Sequence, residues 1–322
     1  MYPTGGAVIR GDLNAVVEEA YGADTFFIGA QVMPPLSMDL KSGTYPKVQI
    51  AGGKLLSAGS TIRQSDGSYN EVRRGYTSDT YDCLDRGLEE RVPDTDALDL
   101  ARFFSLESAA ARLTMRNVKL DHEVRVAAAI NSTANFGSAT NSAVAYTVAN
   151  KATVDFPLDV LAAISRVRDN GAQANTVVLS EAVLFRLAST TYLQNWVRGQ
   201  LKGNIDTPIN APNIAASFAD YGIRNVLIGA ARYNSAKEGQ AYVAAQVWGT
   251  TYVWVGFVNP TAAIAIEGGA GFTFYWNAEG GLFTTETYRD EKRRSNMVRV
   301  RQNTSEKVTD ATAGTLIATQ WA

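Results

Sequence analysis

The sequence predicts an α+β fold, built as one large or two interleaved domains, and three observations carry that prediction. From Val92 to Asn131 the chain keeps a single helical period. Upstream, two segments suited to a pleated surface flank a polar tip, which predicts a long hairpin. From Ala241 onward the pattern is strand after strand. With 322 residues, 46% of them hydrophobic and 19% charged, the chain has the material for a real core.

Taken in order, residues 1–11 are glycine-containing and unpatterned. Asp12 then predicts the cap of a short helix with Leu13, Val16, Val17 and Ala20 on one face, ended at Gly22. Pro34 and Pro35 forbid both helix and central strand. SGTYPKVQIAGGKLL leads out, a polar stretch from Ser57 to Gly75 holds only Ile62 and Val72 as apolar anchors, and GYTSDTYDCLDRGLEERVPD leads back. A loop this long is more often functional than accidental, and such a hairpin is not stable alone.

Next, Pro93 with Asp94, Thr95 and Asp96 predicts a helix start, since their oxygens accept the first free amides and favour the positive end of the dipole. The reading is one unbroken helix to Asn131, a rod of roughly 50 Å. Its buried stripe is read as Phe103, Leu106, Ala110, Leu113, Asn117, Leu120, Val124 and Ala127. Lys119–Glu123 and Asp121–Arg125 are read as i,i+4 pairs on the solvated side. A coiled coil is the weaker alternative, because Asn and Ala interrupt the seam.

Beyond a polar passage, NSTANFGSATNSAVAYTVANKATV, helices and strands alternate: a helix from Pro157 to Asp169, strand TVVLS, helices EAVLFRLAS, TYLQNWVRGQL and NIAASFADYG, and strand RNVLIG. That alternation predicts a compact α/β layer. AYVAAQVWG, TYVWVGFV, GFTFYW, LFTTETYR and SNMVRVRQ follow as strands, with a last segment TAGTLIATQW.

The formal charge of −2 offers no global attraction for nucleic acid or anionic membrane. One cysteine, Cys83, excludes an internal disulfide and is read as a half-buried strand residue. The N-terminus lacks a secretory pattern, and no stretch reaches 18 apolar residues without polar interruption. Catalytic constellations are missing too. The only histidine, His122, is read as a solvated helix residue, and no cluster of cysteine and histidine suits zinc. AGGKLLSAGS lacks the order of a phosphate loop. Asp94, Asp96 and Asp99 are explained by capping. The segment Arg289–Arg301 sets six basic residues against two acidic ones, and is read as a subunit contact, with phosphate contact as the alternative.

This order of parts resembles the major capsid proteins of tailed bacteriophages, with the Hong Kong 97-like fold. The matching stretches are FIGAQVMPPLSMDLKSGTYPKV, DTDALDLARFFSLESAAARL, VRVAAAI, ANTVVLSEAVLFRLASTTYLQNWV, and VWGTTYVWVGFVNP with GFTFYW. The resemblance implies an N-terminal arm and short helix at 1–42, an extended β-hairpin loop at 43–90, and a peripheral-domain spine at 91–139. It implies an α/β axial domain at 140–258 and return strands of the peripheral domain at 259–322. It also implies self-assembly into hexamers and pentamers of an icosahedral head around double-stranded DNA touched non-specifically. Scaffold, portal and a decoration protein are the further implied partners. The chain begins almost at the arm, so a mature form or a separate scaffold is expected. The expected location is the virion, after assembly in the host cytoplasm, with no membrane, cofactor or small-molecule substrate.

Expected subunit contacts are Lys54, Arg63, Tyr69, Arg73 and Arg74 on the loop, and Arg289, Lys292, Arg293 and Arg294 on the basic segment. Some relatives crosslink a loop lysine to a neighbour's asparagine. Arginine stays protonated and cannot be that nucleophile; the loop region offers Lys41, Lys47 and Lys54, none of them in the polar tip, and Lys54 is taken as the candidate. Neither Gly53 nor Leu55 beside it identifies an acceptor, so burial, hydrogen bonds and arginine ion pairs are the expected glue. The alternatives from other classes are a soluble α/β enzyme with a site between its subdomains and a nucleic-acid-binding protein using Arg289–Arg301.

Overall fold

The computed structural model describes residues 26–48, 75–137, 144–201, 207–237, 239–279 and 281–319, with Val8, Ile9, Leu13, 61–63, 65, 67–69 and 71. The predicted helix after Asp12 lies outside the described residues except for Leu13, which is helical and buried. Short β1 (Val8–Ile9) and α1 (Gly29–Val32) precede β2 (Pro35–Met38), β3 (Ser42–Val48), β4 (Tyr76–Asp82) and β5 (Leu84–Pro93). Strands β3 and β4 pair antiparallel from Ser42 opposite Asp82 to Val48 opposite Tyr76, as the hairpin reading expects.

The spine differs from its expectation in two ways. First, it is broken. Helix α2 (Asp94–Leu100) carries Asp94 and Asp96 in its first turn, then the amides of Phe103 and Phe104 both close on the Leu100 carbonyl. Ser105 turns extended there, and its hydroxyl accepts the Ser108 amide to start α3 (Leu106–Ile130) afresh. The continuous rod is therefore 25 residues, roughly 37 Å.

Second, the buried face is turned. Ala110, Ala111, Met115, Val118, Val126 and Ile130 are buried, whereas Leu113 is 54% exposed and Phe103 70%. Asn117 and Val124 are also exposed. Of the expected stripe, Ala110 and Ala127 are buried and Leu106 packs beside the sheet, whose valines Val92, Val298 and Val300 otherwise meet Ala111, Met115 and Val118. Lys119, His122 and Glu123, expected in solvent, are buried as well. Asp121 and Arg125 do pair.

That sheet has six strands in the order β1, β12 (Thr284–Asp290), β13 (Ser295–Lys307), β11 (Phe272–Trp276), β2, with β5 on β13. Strand β13 is its centre, pairing with β12 and β11 and, over Ser295–Thr304, with β5.

After α4 (Thr133–Phe136), helix α5 (Phe156–Asp169) starts on an Asp155 side chain that accepts the Leu158 amide at 3.0 Å, with Pro157 in the first turn. There follow β6 (Thr176–Ser180), α6 (Glu181–Leu187), α7 (Thr191–Gln200), α8 (Ala211–Ser217), β7 (Asn225–Gly229), β8 (Arg232–Asn234), β9 (Ala244–Gln246), β10 (Tyr252–Gly256) and, at the C-terminal end, β14 (Gly314–Ala318). A four-stranded sheet runs β14, β10, β6, β7, with β6 and β7 parallel. All five residues of β6 are buried, the pattern of a strand covered on both faces. Val177 and Leu179 meet the helices through Phe156, Val160, Ile164 and Leu193. Val178, Trp254 and Leu316 on the other face meet the end of the spine, Val126 and Ile130, with Phe136, Trp248 and Met33. The segment 259–322 thus divides: β11, β12 and β13 return beside the spine, while β14 completes the four-stranded sheet.

Candidate assembly surfaces

The buried end of the spine is a polar junction. Glu123 Oε1 accepts from the Ile28 amide at 3.0 Å and from Trp248 Nε1 at 2.6 Å, and Oε2 accepts from the Gly29 amide at 2.6 Å. A Cβ on Gly29 would stand 2.6 Å from that oxygen, so glycine is what lets the chain close on the carboxylate. Burial pushes the Glu123 carboxyl above the usual carboxylate range, against the downward pull of these hydrogen bonds. One helical position back, His122 Nε2 lies 3.1 Å from Thr273 Oγ1 and 3.8 Å from Glu306. Burial holds the imidazole down at about 4, so it is neutral near pH 7. Burial alone would raise the Glu306 carboxyl, but Arg125, bonded to it at 2.9 and 3.0 Å, brings it below its usual range. The sequence gives no local sign of this junction, whose partners stand 94 or more residues away.

The hairpin is fixed at its root. Tyr45 and Tyr81 set their rings 5.1 and 5.2 Å from Phe274, and Lys47 and Tyr45 both reach Asp79 Oδ2, at 2.6 and 3.3 Å. Cys83, expected half-buried, is wholly buried between β4 and β5, its thiol directed at the Phe274 carbonyl at 3.7 Å and pushed up to about 11 by burial. Full enclosure follows from its position where the chain passes from hairpin to sheet. Of the expected loop contacts, Arg63 lies over the exposed Tyr69 ring at 4.9 Å and bonds the Ser65 and Gly67 carbonyls. Lys54, Arg73 and Arg74 lie outside the described residues.

The basic segment is divided. Arg289 holds Asp94 with two hydrogen bonds of 2.5 and 2.7 Å, which keeps that carboxyl below its usual range. Arg299 faces Glu89 and Glu286, and Arg301 faces Glu286 and Asp85. Lys292, Arg293 and Arg294 form the exposed tip between β12 and β13, where Asp290 Oδ1 accepts the Lys292 and Arg293 amides.

A cavity of about 610 Å³ lies between the hairpin root and the four-stranded sheet, lined in part by Lys47, Gln173, Phe257, Glu267 and Asp310. Its charged groups serve local structure: Lys47 on Asp79, Glu267 on the Ala263 amide, Asp310 on the Thr312 amide. Among the described residues, no three His, Cys, Asp or Glu side chains gather as metal ligands would, and no helix is long and apolar enough to cross a membrane.

No protein-family model matches the sequence, and no curated protein matches it. Solved structures do match. A phage-related protein from Bordetella bronchiseptica superposes with a TM-score of 0.68 at 20% identity, over 98% of each chain. The capsid of the cyanophage P-SCSP1u gives 0.55 at 13% identity over 90% of this chain and 86% of that one. A virus-like particle from Pyrococcus furiosus gives 0.53 at 10% identity over 94% and 96%. The spine over a β13-centred sheet, the hairpin at its flank and the α/β layer behind it give this chain the Hong Kong 97-like fold of phage capsid proteins.

Proposed function

We propose that the chain is the major capsid protein of a tailed phage, a structural protein rather than an enzyme. Copies of it tile hexamers and pentamers into an icosahedral head around double-stranded DNA. The observation that carries this reading is the hairpin. Among the described residues β3 pairs only with β4, and the ribbon is fixed at one end by Tyr45, Tyr81 and Phe274 while Tyr76 is half exposed. A two-stranded ribbon is marginal by itself, so its outer part finds its stability on a neighbouring copy. The fold is shared with a cyanophage capsid and a virus-like particle, which supports the same reading. Weak contacts repeated over many copies make a strong shell. Scaffold, portal and decoration proteins are the partners such a shell takes, the DNA is met without sequence preference, and the virion is the location.

Light scattering with negative-stain electron microscopy, across salt and protein concentration and with or without scaffold, tests the reading. Shells, tubes or capsomers are expected. A strictly monomeric protein throughout overturns it.

A further inference from the structure

Strand β5 is ten residues long and, among the described residues, pairs on one side only, with β13. Among the described residues, nothing pairs with the backbone donors and acceptors of its other edge, the feature folded proteins usually cover or shorten. Along this edge Leu84 and Leu88 are each 49% exposed. Arg86 Nε is buried without a hydrogen-bond partner, and Arg91 makes no ion pair among the described residues.

The edge has a property that tells what covers it. Read outward from Leu88, the sequence LDRGLEERV places Arg86 against Glu90, Asp85 against Arg91 and Leu84 against Val92. Four of the five charges are thus matched by their opposites at the same distance on the other side, and the fifth, Glu89, falls against Gly87 and is already held by Arg299 at 3.4 Å. Laid antiparallel on a second copy about a two-fold axis at Leu88, the strand meets its own complement. The register is also allowed by the backbone. Alternate residues of a strand point their N–H and C=O groups to opposite edges. Pairing about a residue sets 88 against 88 and 86 against 90, all of one orientation, whereas pairing about a peptide bond would set outward groups against inward ones.

We infer that β5 is a two-fold docking edge whose partner is β5 of a second copy, joining two six-stranded sheets into one. This deepens the reading as a shell protein and rests on it, since a closed icosahedral shell contains two-fold axes. Leu88 sits opposite Val300 and Glu90 opposite Val298, so Leu88, Arg86 and Glu90 lie on the spine side of the sheet, where those valines pack. The Arg86–Glu90 pairs form there, twice by symmetry. The Asp85–Arg91 pairs form on the opposite face, where Asp85 already has Arg301 Nη1 at 3.9 Å. Glu90 keeps one oxygen for this role, the other lying 3.5 Å from the Thr114 hydroxyl.

Cysteine crosslinking tests it. Directly opposed residues bring their Cβ atoms to about 5 Å, so Leu88→Cys in assembled protein gives a disulfide dimer on a non-reducing gel after mild oxidation. Cys83 is wholly buried and does not compete. Glu90→Cys is the control, because two copies of residue 90 stand about 13 Å apart in this register and give no dimer. As a second measure, Arg86→Glu and Glu90→Arg each reduce assembly at least tenfold, and the double variant restores it. Particles of L88C with no more dimer than E90C, or a double variant no better than the singles, overturn the edge pairing and leave the shell reading standing. Wild-type protein that never assembles overturns both.

Discussion

His122 on the spine and Thr273 on β11 share a hydrogen bond of 3.1 Å whose direction is set by a third group. Thr273 gives its hydroxyl proton to the Met33 carbonyl at 3.0 Å, so the imidazole Nε2 is the donor. The contact therefore holds the spine, β11 and the end of α1 together through a neutral histidine.

That neutrality predicts acid lability. The folded state takes up the His122 proton only near pH 4, whereas the unfolded chain takes it up near 6.5. Between these values the unfolded state binds more protons, so stability falls with falling pH, by at most roughly 3 kcal/mol. Glu123, raised, acts in the opposite sense, and Glu306, lowered, adds to the loss below the usual carboxylate range. Denaturant midpoints measured from pH 7 to pH 4 should decline more steeply in wild type than in His122→Gln. Parallel curves would show that the imidazole is not excluded from charging.

Glu123→Ala is expected to be among the most damaging single changes in the protein. It strands the Ile28, Gly29 and Trp248 donors in a buried site, and an orphaned buried donor costs about 1–3 kcal/mol. Urea unfolding should show a loss of several kcal/mol, and near-wild-type stability would mean that water replaces the carboxylate.

Leu113→Asp leaves the body folded, because Leu113 is 54% exposed. Met115→Asp does not, because it buries a carboxylate against Val298 and Val300, at a cost of several kcal/mol in a protein whose total stability is about 5–15 kcal/mol. Thermal melting of the two variants separates the faces, and the opposite ranking would return the buried stripe to Leu113.

Replacing residues 57–73 by a tight turn should preserve the melting transition and abolish or alter assembly. The ladder from Ser42 to Asp82 and the Tyr45–Tyr81–Phe274 root remain in place, and loop excision costs little entropy. A body that no longer folds would assign the loop to the core.

What could be read in the sequence was local. TVVLS sets three apolar residues, Val177, Val178 and Leu179, between Thr176 and Ser180 and forms β6, while Asp155 and Pro157 mark the start of α5. The spine's face was not readable, because the leucine stripe and the Ala110–Ala111–Met115–Val118 arc share one period, and period alone does not say which arc meets a sheet already filled by valines. The break at Ser105 hid because no Gly or Pro marks it: Phe103, Phe104 and Ser105 are middling helix formers, and one hydroxyl restarts the hydrogen bonding. The burial of Lys119, His122 and Glu123 depends on partners from distant segments. Ordinary amphipathic reasoning puts such side chains in water.

The placement of β13 also governs when the protein can exist. Glu89 on β5 meets Arg299 across 210 residues of chain, and β10 waits for Gly314–Ala318 to cover its open side. A chain emerging from the ribosome therefore holds its hairpin, spine and α/β helices before either sheet can close. Contacts of such long sequence separation form slowly, and the unfinished edges of β5 and β10 are exposed throughout synthesis. Closure of both sheets is consequently an event of the finished chain, and a copy truncated before residue 295 has neither sheet complete.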